Sequence, residues 1–92
     1  MKSIELNGVK YELIRNDKDC FNKDEVESLI TEYFDSYDYI CGDFAYDKIR
    51  LKGFKDSKSK GVTDINNINN LDNYVENYCS FGARIFLLKK IK

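Results

Sequence analysis

The stretch Tyr37–Phe54, YDYICGDFAYDKIRLKGF, limits the possible folds more than any other part of the chain. Read with period two, it sets Ile40, Gly42 and Phe44 on one face and Tyr39, Cys41 and Asp43 on the other. Further on, Ile49, Leu51 and Gly53 alternate with Arg50, Lys52 and Phe54. Such alternation predicts two half-buried strands. With Ala45 to Lys48 as a four-residue loop, a common hairpin length, Phe44 faces Ile49, Gly42 faces Leu51 and Ile40 faces Gly53. On the opposite face Tyr39 meets Phe54, Cys41 meets Lys52 and Asp43 meets Arg50. Each glycine then lies across from a bulky partner, so the aliphatic face fills without crowding. Slipping the pairing by one residue would put Asp43 against Ile49 and mix the two faces, so the pattern selects its own register.

The flanking segments read as follows. Ser3 to Leu13 is a hairpin around Asn7-Gly8, two residues that tolerate positive φ; Leu6 faces Val9 and Ile4 faces Tyr11 on the buried side, with Glu5 facing Lys10 in water. After a polar linker, Asn16 to Cys20, Asn22 caps a first helix, Glu25 closes a capping box and Phe21 staples to Val26. Val26, Leu29, Ile30, Tyr33 and Phe34 form one apolar stripe at helical spacing, and Glu25, Glu32 and Asp35 form a solvated acidic face. Residues 55–64 read as a flexible loop, with Ile65 and Ile68 as anchors beyond it. Asn69 and Asp72 are candidate caps for a second helix that turns Leu71, Tyr74, Val75, Tyr78 and Cys79 toward the core and ends at Gly82. In Ala83 to Ile91, Ile85, Phe86, Leu87 and Leu88 are apolar on both faces, which predicts an inner strand covered on both sides. The expected fold is α+β in the order β-β-α-β-β-α-β, one domain over 1–92, with a single mixed, mostly antiparallel sheet and two helices packed on it.

The net charge of −1 hides an asymmetry. Residues 17–47 carry ten acids against two lysines, and residues 48–60 carry six bases against one acid. Three cysteines with no CxxC spacing argue against a disulfide framework or a zinc site and fit a reducing compartment. No signal-like apolar run or membrane-length stretch is present in the sequence, so a cytoplasmic monomer is expected.

Histidine is absent, which removes serine–histidine and cysteine–histidine nucleophiles and the commonest nitrogen ligand for metals. No phosphate-binding glycine loop or nucleophile elbow appears. No cofactor or metal is expected, and an enzyme is the least favoured class. Such an enzyme would centre on Asp43, Tyr46 and Arg50, a carboxylate oriented by arginine beside a phenol; an ion pair that merely fixes hairpin register explains the same residues more simply. Cys79 reads as a small core residue.

The run YDYICGDFAYDKIRLKGF, followed by LDNYVENYCSFGARIFLL, resembles the YutD-like family of small bacterial proteins. Tyr39, Gly42, Asp43, Tyr46, Arg50, Leu51, Lys52, Gly53 and Phe54 carry the resemblance, with Tyr78, Cys79, Phe81 and Gly82 further on. It is close over the last two thirds of the chain and holds in outline over the first. Phe44 stands where the family pattern has a larger aromatic, and Ala45 where it has glycine. The resemblance implies a fold and brings no activity with it.

The binding surface expected from the sequence is the outward face of the central hairpin. Tyr39, Asp43, Tyr46, Arg50, Lys52, Phe54, Lys55 and Arg84 are its candidate residues, with Lys58 and Lys60 adjoining. Aromatics interleaved with cations on a sheet are the chemistry of single-stranded RNA platforms, so RNA or a ribonucleoprotein is the expected partner of a non-enzymatic binding module. The competing expectations are that a helix covers those rings, or that the acidic first helix or a sheet edge serves as a protein-interaction adaptor.

Overall fold

The computed structural model describes residues 2–45, 48–78 and 83–91. Tyr46, Cys79 and Gly82, and the side chain of Tyr78, lie outside that description. The elements are β1 (Lys2–Leu6), β2 (Val9–Asn16), α1 (Lys23–Leu29), β3 (Tyr39–Ala45), β4 (Lys48–Phe54), α2 (Leu71–Tyr78) and β5 (Arg84–Lys90), with 3-10 turns at Asp17–Asp19, Glu32–Ser36 and Ile68–Asn70.

The strands form one sheet in the order β1-β2-β5-β3-β4. Every pairing between these strands is antiparallel, which corrects the expectation of a mixed sheet. Both hairpin registers follow from their sequence patterns. Leu6 pairs with Val9 and Ile4 with Tyr11, and Asn7 and Gly8 take the positive φ values of 52° and 81° that the tight turn needs. Ile40 pairs with Gly53, Cys41 with Lys52 and Asp43 with Arg50. Ala45 also pairs with Lys48, so the connection is shorter than the four-residue loop expected. β5 lies at the centre of the sheet with Ile85, Phe86, Leu87 and Leu88 all buried, as a strand apolar on both faces must.

The helices cover opposite faces. On one, Val26 of α1 and Phe34 pack with Leu6, Tyr11, Ile40, Phe86 and Leu88. On the other, Leu71, Tyr74 and Val75 of α2 pack over Cys41, Phe54, Ile85 and Leu87. A β-bulge between Leu13 and Arg15 in β2 shifts the pleat there, and Ile14 joins the α2-side core while Leu13 stays with the α1 side.

The first helix is shorter than its apolar stripe predicts. Asn22 caps it as expected, accepting from the Glu25 N–H at 3.1 Å. The backbone turns extended at Ile30 (ψ 123°), and the Thr31 side chain caps a separate 3-10 turn. The cause lies in the first hairpin. Asn7 Nδ2 donates to the carbonyls of Glu27 and Ile30 at 3.1 Å each, satisfying acceptors that a continuing helix would have used itself. Leu29 and Tyr33 consequently lie 44% and 65% exposed, not in the core. At the second helix, neither Asn69 nor Asp72 makes the expected cap. Asn67 instead accepts from the Asn69 N–H, opening a 3-10 turn that runs directly into α2.

Candidate functional site

The outward face of the central hairpin lies beneath α2. Phe54 is fully buried, with the Tyr74 ring edge-on at 5.4 Å between centroids. Lys52 is half-buried, with its ammonium beside two rings. Its Nζ lies 5.2 Å from the Phe54 ring centroid and 5.7 Å from that of Tyr74, a cation held over aromatic faces. Tyr39 is half-buried beside the same cluster. The expectation that Tyr39, Phe54 and Lys52 form an open stacking platform is thus corrected: α2 occupies the place where bases would lie.

Two further candidates lie elsewhere. Arg84 pairs with Phe44 across β5 and β3, and its guanidinium lies 6.0 Å from that ring, on the α1 side of the sheet. Lys55 Nζ lies 5.7 Å from the Tyr37 ring and donates to the Lys60 carbonyl at 3.2 Å. Tyr37 itself packs with the α1-side core. Strand parity decided both outcomes: Arg84 shares the face of Phe86 and Leu88, not that of Ile85. Residues 55–67 are tied back to the sheet, with the Asp38 carboxylate accepting from the Asp56 N–H and the Ser59 hydroxyl, and Lys55 bridging to Asn67.

Asp43 and Arg50 are brought together. Arg50 Nη2 and Nε donate to Asp43 Oδ2 at 2.8 and 3.2 Å. The Asp43 side chain is 2% exposed and the Arg50 side chain 57% exposed. This is a buried carboxylate satisfied from the rim, the geometry of a pair that pins two strands. Across β5, where the Ile85 N–H donates to Asp17, Arg15 holds Asp17 at 3.0 Å, and that hydrogen bond lowers the Asp17 pKa below its ordinary value while raising that of Arg15. Burial raises the Cys20 thiol pKa, so it stays protonated and a poor nucleophile. Among the described residues no group of three or more carboxylates and cysteines is disposed to hold a metal.

The surface that sequence reasoning undervalued is the acidic one. Asp24, Glu25, Glu32 and Asp35 are exposed on α1 and the turn after it, and Leu29 and Tyr33 are exposed in the same segment. Tyr33 is held in place by its neighbours. Its ring meets Phe34 edge-on at 5.1 Å and Tyr37 at 5.4 Å, and the Tyr33 and Tyr37 hydroxyls lie 3.1 Å apart. That hydrogen bond raises the Tyr37 pKa. Beside this patch a cleft of about 290 Å³ opens between the first hairpin turn and Ile30–Asp35, with Glu32 and Asp35 on its wall. The early break in α1 is not readable from the helical stripe, which runs unbroken through Leu29 and Tyr33.

The comparisons agree with this architecture. A family model described as "YutD-like: Putative antitoxin YutD-like" matches residues 5–89. The protein "Putative antitoxin YutD" of Bacillus subtilis (strain 168) is 38% identical over 89 residues, covering 97% of this chain and 98% of its own length. The solution NMR structure of protein yutD from B. subtilis superimposes with a TM-score of 0.80 at 37% identity, covering 100% of this chain and 84% of that one. The family match extends nearly end to end and the fold is shared over the whole chain: this protein belongs to the YutD-like family.

Proposed function

We propose that this protein is a non-catalytic binding module that captures a basic protein partner on the acidic surface of α1 and the Glu32–Ser36 turn. The observation that carries the reading is the exposure of Leu29 and Tyr33 within residues 24–35, a segment with five acids and no base. Apolar and aromatic anchors surrounded by charge are the anatomy of a protein-binding patch: the anchors supply affinity, and the carboxylates steer and select a cationic partner. Tyr33 suits the anchor role because its ring is already fixed against Phe34 and Tyr37, so little side-chain freedom is lost on binding. The name of the B. subtilis relative, "Putative antitoxin YutD", fits the same reading, since an antitoxin that holds a protein toxin needs a protein-binding surface.

The single-stranded RNA reading rests on less. Phe54 is buried, Lys52 is laid over rings, and Arg84 and Lys55 are on the opposite side of the sheet. The experiment that separates the readings is affinity capture from nuclease-treated lysate in parallel with titration of labelled single-stranded RNA. A protein should be retained at low salt, lost with Glu32→Lys/Asp35→Lys, and weakened by Tyr33→Ala, with the unfolding midpoint unchanged. Binding of RNA that is weakened by Arg50→Ala and Lys52→Ala, or capture indifferent to the charge reversal, would overturn the proposal.

A further inference from the structure

A second recognition site lies on the other face of the sheet. A groove of about 540 Å³ opens between Lys52 of β4, the Asp64–Asn70 segment and α2, lined by Lys52, Asp64, Ile65, Asn70, Asn73, Tyr74 and Asn77. Its rim is fixed in place. Asn70 Nδ2 donates to the Asp64 carbonyl at 2.9 Å, Asn66 Oδ1 accepts from the Thr63 N–H at 2.7 Å, and Lys55 exchanges backbone hydrogen bonds with Asn66 and Ile68. Ile65 is held on this rim 76% exposed. It shares the groove with the Tyr74 ring, and no apolar cluster among the described residues includes it.

The polar lining identifies the ligand class. Asn70, Asn73 and Asn77 recur at spacings of three and four, which places their carboxamides along one side of the helical segment. A carboxamide offers a donor and an acceptor together, the same pair that each peptide group of an extended chain presents outward. Asn77 Nδ2 returns to the Asn73 carbonyl, whereas the Asn73 carboxamide makes no hydrogen bond among the described residues. From Asn70 to Asn77 the helical rise is about 10 Å, the length of about three residues of extended chain.

Charge then decides between polymers. Among the described residues the groove carries one cation, Lys52, and one carboxylate, Asp64. A nucleic-acid strand would bring a negative charge with every nucleotide to a site with no net positive charge. A peptide backbone is neutral and can match both groups through its side chains. We propose that this groove binds a short extended peptide segment of a partner protein, with an aliphatic side chain against Ile65 and Tyr74, an acidic residue toward Lys52 and a basic residue toward Asp64. This site is independent of the acidic surface, which lies on the α1 face.

The test is selection of a randomised peptide-display library on the folded protein, followed by titration of the recovered peptide into the 15N-labelled chain. The selected sequences should share an aliphatic position with an acidic and a basic residue near it, and should shift the amides of Ile65, Asn73, Tyr74 and Asn77. Asn73→Ala and Ile65→Ala, both surface changes, should each weaken binding about tenfold while leaving the unfolding midpoint in place. Glu32→Lys/Asp35→Lys should leave this binding unchanged, so the two surfaces fail or succeed separately. No enrichment, shifts confined to the α1 face, indifference to both alanine variants, or displacement of the peptide by single-stranded RNA would each overturn the proposal.

Discussion

Gly42 lies directly under the ring of Phe86, its partner across β3 and β5, and an added Cβ would fall inside the space that ring occupies. Phe86 is fully buried and meets Phe21 edge-on at 5.2 Å, so it has nowhere to retreat. Gly42→Ala should therefore destabilise the fold by about 1–3 kcal/mol through overpacking. Gly53 has the same relation to Tyr37, but that ring is half-buried at the surface and can tilt. Gly53→Ala should cost less than Gly42→Ala. Urea unfolding checks both, and a reversed order would show that the rings are not held as described.

The Asp43–Arg50 pair predicts a non-additive pair of variants. Arg50→Ala leaves a carboxylate that is 2% exposed without its guanidinium and should cost about 1–3 kcal/mol. Adding Asp43→Asn removes the uncompensated charge, so the double variant should be more stable than Arg50→Ala alone. Unfolding midpoints of the wild type, both single variants and the double variant decide it; simple additivity would mean the pair contributes nothing as a pair.

These two relationships show how much the sequence disclosed. The Asp43–Arg50 register was legible because period-two alternation leaves no other way to keep Ile40, Leu51 and Ile49 on one face. The glycines were legible as small residues opposite bulky ones, but the residues that fill their space, Phe86 and Tyr37, come from outside the hairpin. Lys52 made the α2-side face look wet, because a string of residues does not show that its ammonium can sit over Phe54 and Tyr74. Likewise the stripe from Val26 to Phe34 is helical in spacing, and its interruption depends on Asn7, 23 residues before Ile30. What stayed hidden was long-range in each case.

Asn7 performs two tasks that substitution can separate. It holds φ at 52°, and its side chain caps the Glu27 and Ile30 carbonyls. Asn7→Gly keeps the turn and loses the cap, so it should cost about 1 kcal/mol at this exposed site. Asn7→Ala also gives up the tolerance of the left-handed region that the short polar side chain of asparagine confers, which adds about 1 kcal/mol more. Hydrogen exchange should show faster opening at the end of α1 in both variants and of the β1–β2 turn chiefly in the alanine variant.

Alkaline pH should unfold the protein through groups that burial keeps protonated. Burial raises the Tyr11 pKa above 10.0, with Asp35 adding to the shift, and burial likewise raises the Cys20 pKa above 9.0. A raised folded pKa means that the unfolded chain releases its proton first as pH rises. The stability linked to Cys20 is thus intact below about pH 9 and that linked to Tyr11 below about pH 10, each being lost as pH climbs through the folded value. Tyr11→Phe removes the second titration and should flatten the alkaline limb of midpoint against pH above 10 without altering stability at neutral pH by a comparable amount. Asp17 gives the opposite limb: its lowered pKa, held by the Arg15 hydrogen bond, contributes stability above the ordinary value of 3.8 that is lost as pH falls through the folded one. Arg15→Ala should shrink that acid-side loss, and an unchanged acid limb would separate Asp17 from Arg15 in solution.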